Sequence, residues 1–190
     1  MSHRFRRLLR VGAISLCLLT SAVGSYSQTM VTNDLPLYGP FNAVFFPDGD
    51  GLKKPLRKDD SVLRADSPWS LYGWVKSAEP LKGPSLVAGI GDPAEEFSRY
   101  LAFDGEHVTL WMGKDNSLSG RASLATGKWH FLAATFDGEE FRLYSDGLQI
   151  ASGKLDLGSV SPVLQMAPAF LPASNWSHFG GTVAGLNVAR

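Results

Sequence analysis

The side chains of this 190-residue chain best suited to chemistry are aromatic, with five Trp, five Tyr and eleven Phe. Trp111 stands just before the polar loop GKDNSLSG, which carries Asn116, and Trp176 stands in ASNWSHFGG beside Asn175. A flat ring against the C–H side of a pyranose, with an amide to orient the hydroxyls, is how proteins hold sugars. Trp111, Trp176, Asn116 and Asn175 are therefore the candidate ligand-binding residues. For the two Trp, core packing is an equally good use of the ring.

Nucleophilic and acid–base constellations are missing. Glycoside hydrolysis with retention needs two carboxylates about 5 Å apart, which on a strand means alternating positions on one face. Glu95 and Glu96 are adjacent and would diverge, and Glu139 and Glu140 lie where a turn is expected. There is no Gly-x-Ser-x-Gly elbow, no His-Glu-x-x-His and no Walker loop. GIGDPA at 89–94 matches a dinucleotide fingerprint in spacing. Pro93 and the strand pattern resuming at Arg99 leave no room for the helix that must meet a pyrophosphate. No catalytic residue is assigned, and the chain is expected not to be an enzyme.

Metal sites fare similarly. His107, His130 and His178 lack ligand spacing, and DGDG at 48–51 would need an oxygen ligand where Phe46 stands to follow the EF-hand pattern. It reads as a Gly-rich turn. NWS at 175–177 is a glycosylation sequon only in a eukaryotic secretory setting.

Composition sets the context. Eighteen basic and eighteen acidic residues, with 44% hydrophobic residues, exclude a disordered tail and a basic nucleic-acid binder. The single Cys17 excludes an internal disulfide framework. Arg4, Arg6, Arg7 and Arg10 precede an apolar run from Val11 to Val23 and then the small residues of SAVGSYSQ, the pattern of a secretory signal spanning 1–27. The run is too short for the ~20 residues that cross a bilayer, so no membrane span is expected in the mature chain. Cleavage would leave 14 basic against 18 acidic groups and no Cys. Residues 28–40 read as a lead-in, and 41–190 as one domain, secreted into the periplasm or the extracellular space.

Strands must position the candidate residues. Short β-rich runs recur at 41–46, 69–76, 84–90, 99–103, 107–113, 128–136, 140–145, 148–153 and 181–189. Asp104-Gly105, Asp137-Gly138 and Asp146-Gly147 supply the positive φ angles of tight hairpin turns, which implies antiparallel neighbours. In KWHFLAATF, Trp129, Phe131, Ala133 and Thr135 share one face and His130, Leu132, Ala134 and Phe136 the other. Both faces are largely apolar, as in a central strand covered on both sides. The fold class is all-β, an antiparallel two-sheet sandwich.

The segment GKWHFLAATFDGEEFRLYSDGLQIASG, 127–153, resembles the signature of laminin-G-like, concanavalin-A-like jelly-roll domains, particularly their bacterial and pentraxin-related branch. AVFFPDGDGL at 43–52, WSLYGWVK around Trp74 and HFGGTVAGLNVAR at 178–190 are similar to further family strands, in the family's order. The resemblance covers about 41–190 and implies a jelly roll with Trp74 and Trp129 packed in its core and His130 structural. It also implies calcium in many relatives, for which Asp92, Asp104, Asp115 and Asn116 are available here without a matched motif, so the metal ligands stay unknown. The family's pattern continues past its last strand, whereas this chain stops at Arg190, which leaves open an accessory module of a longer polypeptide. The expected function is a non-catalytic recognition module for a glycan or other cell-surface polymer. The alternatives are docking of a protein or attached enzyme, and a glycosidase with unfamiliar acids.

Overall fold

A computed structural model describes residues 43–47, 51–55 and 66–189. The proposed signal at 1–27, the lead-in at 28–40 and most of the DGDG turn lie outside the described residues. No described helix is long and apolar enough to cross a membrane.

The described residues form twelve strands: β1 Ala43–Phe46, β2 Leu52–Pro55, β3 Trp69–Ser77, β4 Ser85–Ile90, β5 Arg99–Phe103, β6 His107–Trp111, β7 Ser117–Arg121, β8 His130–Phe136, β9 Phe141–Ser145, β10 Leu148–Gly153, β11 Val163–Met166 and β12 Gly181–Ala189. They make two six-stranded sheets, β1-β12-β3-β8-β9-β10 and β2-β11-β4-β5-β6-β7. Every pairing is antiparallel. This is the expected all-β jelly-roll sandwich.

The inward faces alternate as strand geometry requires. On β3, Trp69, Leu71 and Val75 enter the core; on β5, Leu101 and Phe103; on β8, Leu132, Ala134 and Phe136. Trp69 meets Phe141 edge-on at 5.9 Å, and Phe136 stacks on Phe141 at 4.5 Å.

Three strands exceed the sequence-based expectation. β2, β7 and β11 read LKKP, SLSGR and VLQM, too short or too polar for a periodic signal. They exist because a neighbour offers a ladder: β7 takes the free edge of β6, and β11 bridges β2 to β4. β2 and β7 are the two edges of their sheet, where polar side chains discourage further pairing.

The Asp-Gly turns also differ from the expectation. Only Asp146-Gly147 has both residues at positive φ, 50° and 83°, in a two-residue hairpin loop. At the other two, only the glycines turn, Gly105 at φ 97° and Gly138 at φ 106°. Their Asp side chains close longer loops by accepting backbone N–H groups. Asp104 Oδ1 takes those of Glu106 and His107 at 2.9 and 2.7 Å, and Asp137 Oδ1 takes those of Glu139 and Glu140, both at 2.9 Å. These two bonds, and then the Arg142 guanidinium, hold the Asp137 carboxyl down at about 2.

Trp74 corrects a second expectation. It lies five residues from Trp69, hence on the opposite face of β3, and is 37% exposed on the outside of the sandwich. Phe131 of β8 meets it at 5.3 Å and Tyr72 at 6.0 Å. Trp129 is half-buried with Lys76 Nζ 5.0 Å above its ring. The outer face of β8 is thus covered by a thin aromatic layer and not by a second sheet. His130 is structural: Nδ1 lies 2.8 Å from Asp146 Oδ2, and Nε2 lies 3.3 Å from the Ala125 carbonyl.

Candidate functional site

At the end of the sandwich where β3 stops and β12 starts, two loops run side by side. The chain leaving β3, 78–84, is rich in Pro and Gly, and the chain entering β12, 167–180, is equally irregular. They are joined by backbone bonds from Ala78 N to the Gly180 carbonyl (3.0 Å) and from Ser177 N to the Pro84 carbonyl (2.9 Å). The Ser177 hydroxyl lies 2.9 Å from that of Ser85 and 3.2 Å from the Gly83 carbonyl. Gly83 allows this approach, because a Cβ there would strike the Asn175 carbonyl.

Between the loops is a groove of about 510 Å³ lined by Glu79, Lys82, Leu171, Trp176, Ser177 and His178, with prolines at its margin. An anionic, a cationic and an imidazole side chain thus share one concavity with an indole. The His178 ring is oriented by Nε2, 3.1 Å from the Ala169 carbonyl.

Trp176 is half-buried, and Trp111 braces it from behind at 6.4 Å, edge-on. Trp111 is itself only 8% exposed. It sits with Leu86, Tyr100 and Ala102 in a second small core on the outer face of β4–β6, roofed by Phe170 and Trp176. Its ring meets Tyr100 at 6.3 Å and Phe170 at 6.2 Å. Tyr100 anchors this cluster: its hydroxyl donates to the Gly91 carbonyl at 2.7 Å, with Gln165 Oε1 3.2 Å away. Burial, and then the charge of Asp92, push its phenol well above the usual range, so it stays neutral.

The four residues singled out in the sequence therefore separate. Trp111 and Trp176 come together, the first as support and the second on the groove. Asn175 is exposed next to Trp176. Asn116 ties the β6–β7 turn to a distant segment, its Nδ2 donating to the Asp156 carbonyl at 3.0 Å and its Oδ1 accepting from Asp156 N at 3.1 Å. Glu79, Lys82 and Leu171 carried no sequence signal, and Ser177 and His178 stood out only as part of a sequon and as a histidine without ligand spacing. No local pattern announces that residues more than ninety positions apart will face each other.

Acids elsewhere serve local structure. Glu95 and Glu96 are exposed in a turn, and Asp137 and Glu140 both bridge Arg142, at 2.7 and 3.0 Å. The oxygens suggested for calcium do not assemble. Asp92 and Asp104 accept backbone N–H groups of their own loops, Asn116 is bound to Asp156, and Asp115 stands exposed at φ 61°. Among the described residues no three His, Cys, Asp or Glu side chains cluster around a metal position.

Residues 50–189 match a laminin-G-type sequence profile described as the concanavalin A-like lectin/glucanases superfamily. The chain belongs to that superfamily. Pappalysin-1 of Mus musculus is 28% identical over 144 residues, 66% of this chain and 9% of pappalysin-1. The chain thus spans about a tenth of that relative's length. Among solved structures, domains LG4-5 of the mouse laminin alpha1 chain superpose with a TM-score of 0.57 at 17% identity, over 76% of this chain and 40% of that one. The CBM40 of Ruminococcus gnavus IT-sialidase, bound to alpha2,3 sialyllactose, superposes with a TM-score of 0.55 at 15% identity, over 77% of this chain and 88% of that one. At these identities the two structures speak for the fold alone.

Proposed function

We propose that this laminin-G-type domain is a secreted, non-hydrolytic recognition module that binds carbohydrate in the groove beside Trp176. The observation that carries the proposal is one indole, braced by a buried second indole, lining a concavity that also holds Glu79, Lys82 and His178. A rigid ring costs little to order on binding, and the three polar side chains can orient hydroxyls or an acidic sugar. The fold neighbour described as bound to sialyllactose supports the ligand class.

Screening the full chain on a glycan array and then titrating the best ligand is the test. One stacked ring is worth about 1–3 kcal/mol by analogy with bases on aromatics, so Trp176→Ala should weaken binding roughly 5- to 150-fold while the melting curve is retained. Unchanged affinity in that variant would remove the groove from the proposal. Reducing-sugar release that disappears on replacing one Asp or Glu would make the protein a glycosidase instead.

Secretion rests on the pattern of residues 1–27. Exported protein should begin between Ser25 and Thr29 on N-terminal sequencing, and exported material that retains Arg4–Arg10 would defeat the assignment. A second function, docking of a protein or an attached enzyme, is favoured by the outer aromatic face with Phe45 61% and Trp74 37% exposed. It predicts that Trp74→Ala, and not Trp176→Ala, disrupts association.

A further inference from the structure

Along β3 the buried Trp69, Leu71 and Val75 alternate with Ser70, Tyr72, Trp74 and Lys76, which face outward from the sandwich. Strand register places Ala43 of β1, Ala184 of β12, Trp74 of β3 and Phe131 of β8 in one row across that outer face. Two alanines in succession leave a shallow trough that leads from the start of β1 to the Trp74 indole. The bulge in β12 widens it. Gly185 is exposed there at φ 57° and brings no side chain to the ring, whereas a Cβ would lie 3.7 Å from Trp74 Cδ1. Phe131 packs against the indole at 5.3 Å, and 37% of Trp74 stays exposed. Beside it Asn187 Nδ2 donates to the Tyr72 hydroxyl at 2.9 Å, which leaves the phenol proton to give to a further acceptor.

We propose that this trough receives the chain's own segment 35–40, LPLYGP, which competes there with any outside partner. Three features choose that occupant. Residues 35–42 lie outside the described ones and lead directly into Ala43, at the open end of the trough. Two strand spacings, about 10 Å, separate Ala43 from Trp74, and about three extended residues cover that distance, so Pro40 comes within reach of the indole and Tyr38 and Leu37 within reach of the surface beyond it. Segment and surface also match in charge. LPLYGPFN carries no Asp, Glu, Lys or Arg, and the cations on the described strands of this face are already engaged, Lys76 over Trp129 and Arg142 with Asp137 and Glu140. Pro36 and Pro40 bias the residues before them toward extended backbone, which lessens the entropy lost on docking. The tether makes the contact intramolecular, at an effective concentration of about millimolar, so a weak contact suffices. The trough shares no residue with the Trp176 groove.

The test is a thermal-melting cycle on the exported protein. Leu35→Ser, Leu37→Ser and Tyr38→Ser made together keep the length of the segment and should lower the melting temperature by about 3–6 °C. Trp74→Ala should lower it by at least as much, and the combined variant no further than Trp74→Ala alone, because both changes remove the same contact. Indole N–H NMR gives a second measurement, with the Trp74 resonance assigned from Trp74→Phe. The three serines should move that resonance and leave those of the buried Trp69 and Trp111 in place. A Trp74 resonance unmoved by the serines overturns the proposal, as do additive losses in the cycle. If Trp74→Ala does not fold, the NMR comparison decides alone. Self-association of wild type that persists with the three serines and is abolished by Trp74→Phe would assign the face to a second copy of the chain instead.

Discussion

A chain ended after Gly180 should show no cooperative melting transition. β12 is the last strand in sequence, and as a closing strand it would be expected to have one neighbour. In the structure it pairs on both sides, with β1 through Ala43–Phe46 and with β3 through Ser70–Ser77. Its removal would strand β1 with no partner, open the ladder of β3, and take the buried Val183 and Ala184 out of the sandwich. Unpaired buried backbone groups and lost apolar burial on both sides together exceed the ~5–15 kcal/mol that stabilises a domain of this kind. Far-UV and near-UV circular dichroism during heating would read the result. A truncated protein with a sharp transition near the full-length temperature would contradict the position of β12 inside the sheet.

Phe179→Ala should lower the melting temperature by roughly 6–20 °C, from a loss of about 3–5 kcal/mol. The ring is fully buried, stands edge-on to Phe103 at 5.9 Å, and approaches the backbone closely enough that a Cβ on Gly181 would lie 2.7 Å from it. Surroundings already in tight contact cannot collapse into the space left, so the cavity cost adds to the lost transfer energy. Ser177, His178 and Gly180 on either side line the groove, so glycan affinity should fall along with stability. A melting temperature within a degree or two of wild type would mean the ring is not packed as described.

Local forces and long-range contacts shaped different features of this protein. Short β-rich runs and Asp-Gly turns are local, and they announced β1, β3 to β6, β8 to β10 and β12 from the residues alone. The Trp-His hairpin with its two Asp-Gly ends was enough to suggest the superfamily. Trp69 and Trp74, five residues apart, lie on opposite faces of β3, and the expectation that Trp74 is core was overturned. Which face is inward was decided by Leu132, Ala134 and Phe136 of the paired β8, which turn Trp69 into core and Trp74 into surface. β2, β7 and β11 were likewise decided by the ladders they complete, since a short polar strand draws its stability from a neighbour and not from its own periodicity. The groove depends on contacts such as Ser177 to Gly83, 94 positions apart. The sequence by itself determined the strand alphabet, the superfamily and the supply of aromatic side chains. Only the tertiary structure decided that Trp111 is buried while Trp176 lines the groove, because exposure is a property of what packs on a residue, and in a sandwich those neighbours come from far along the chain.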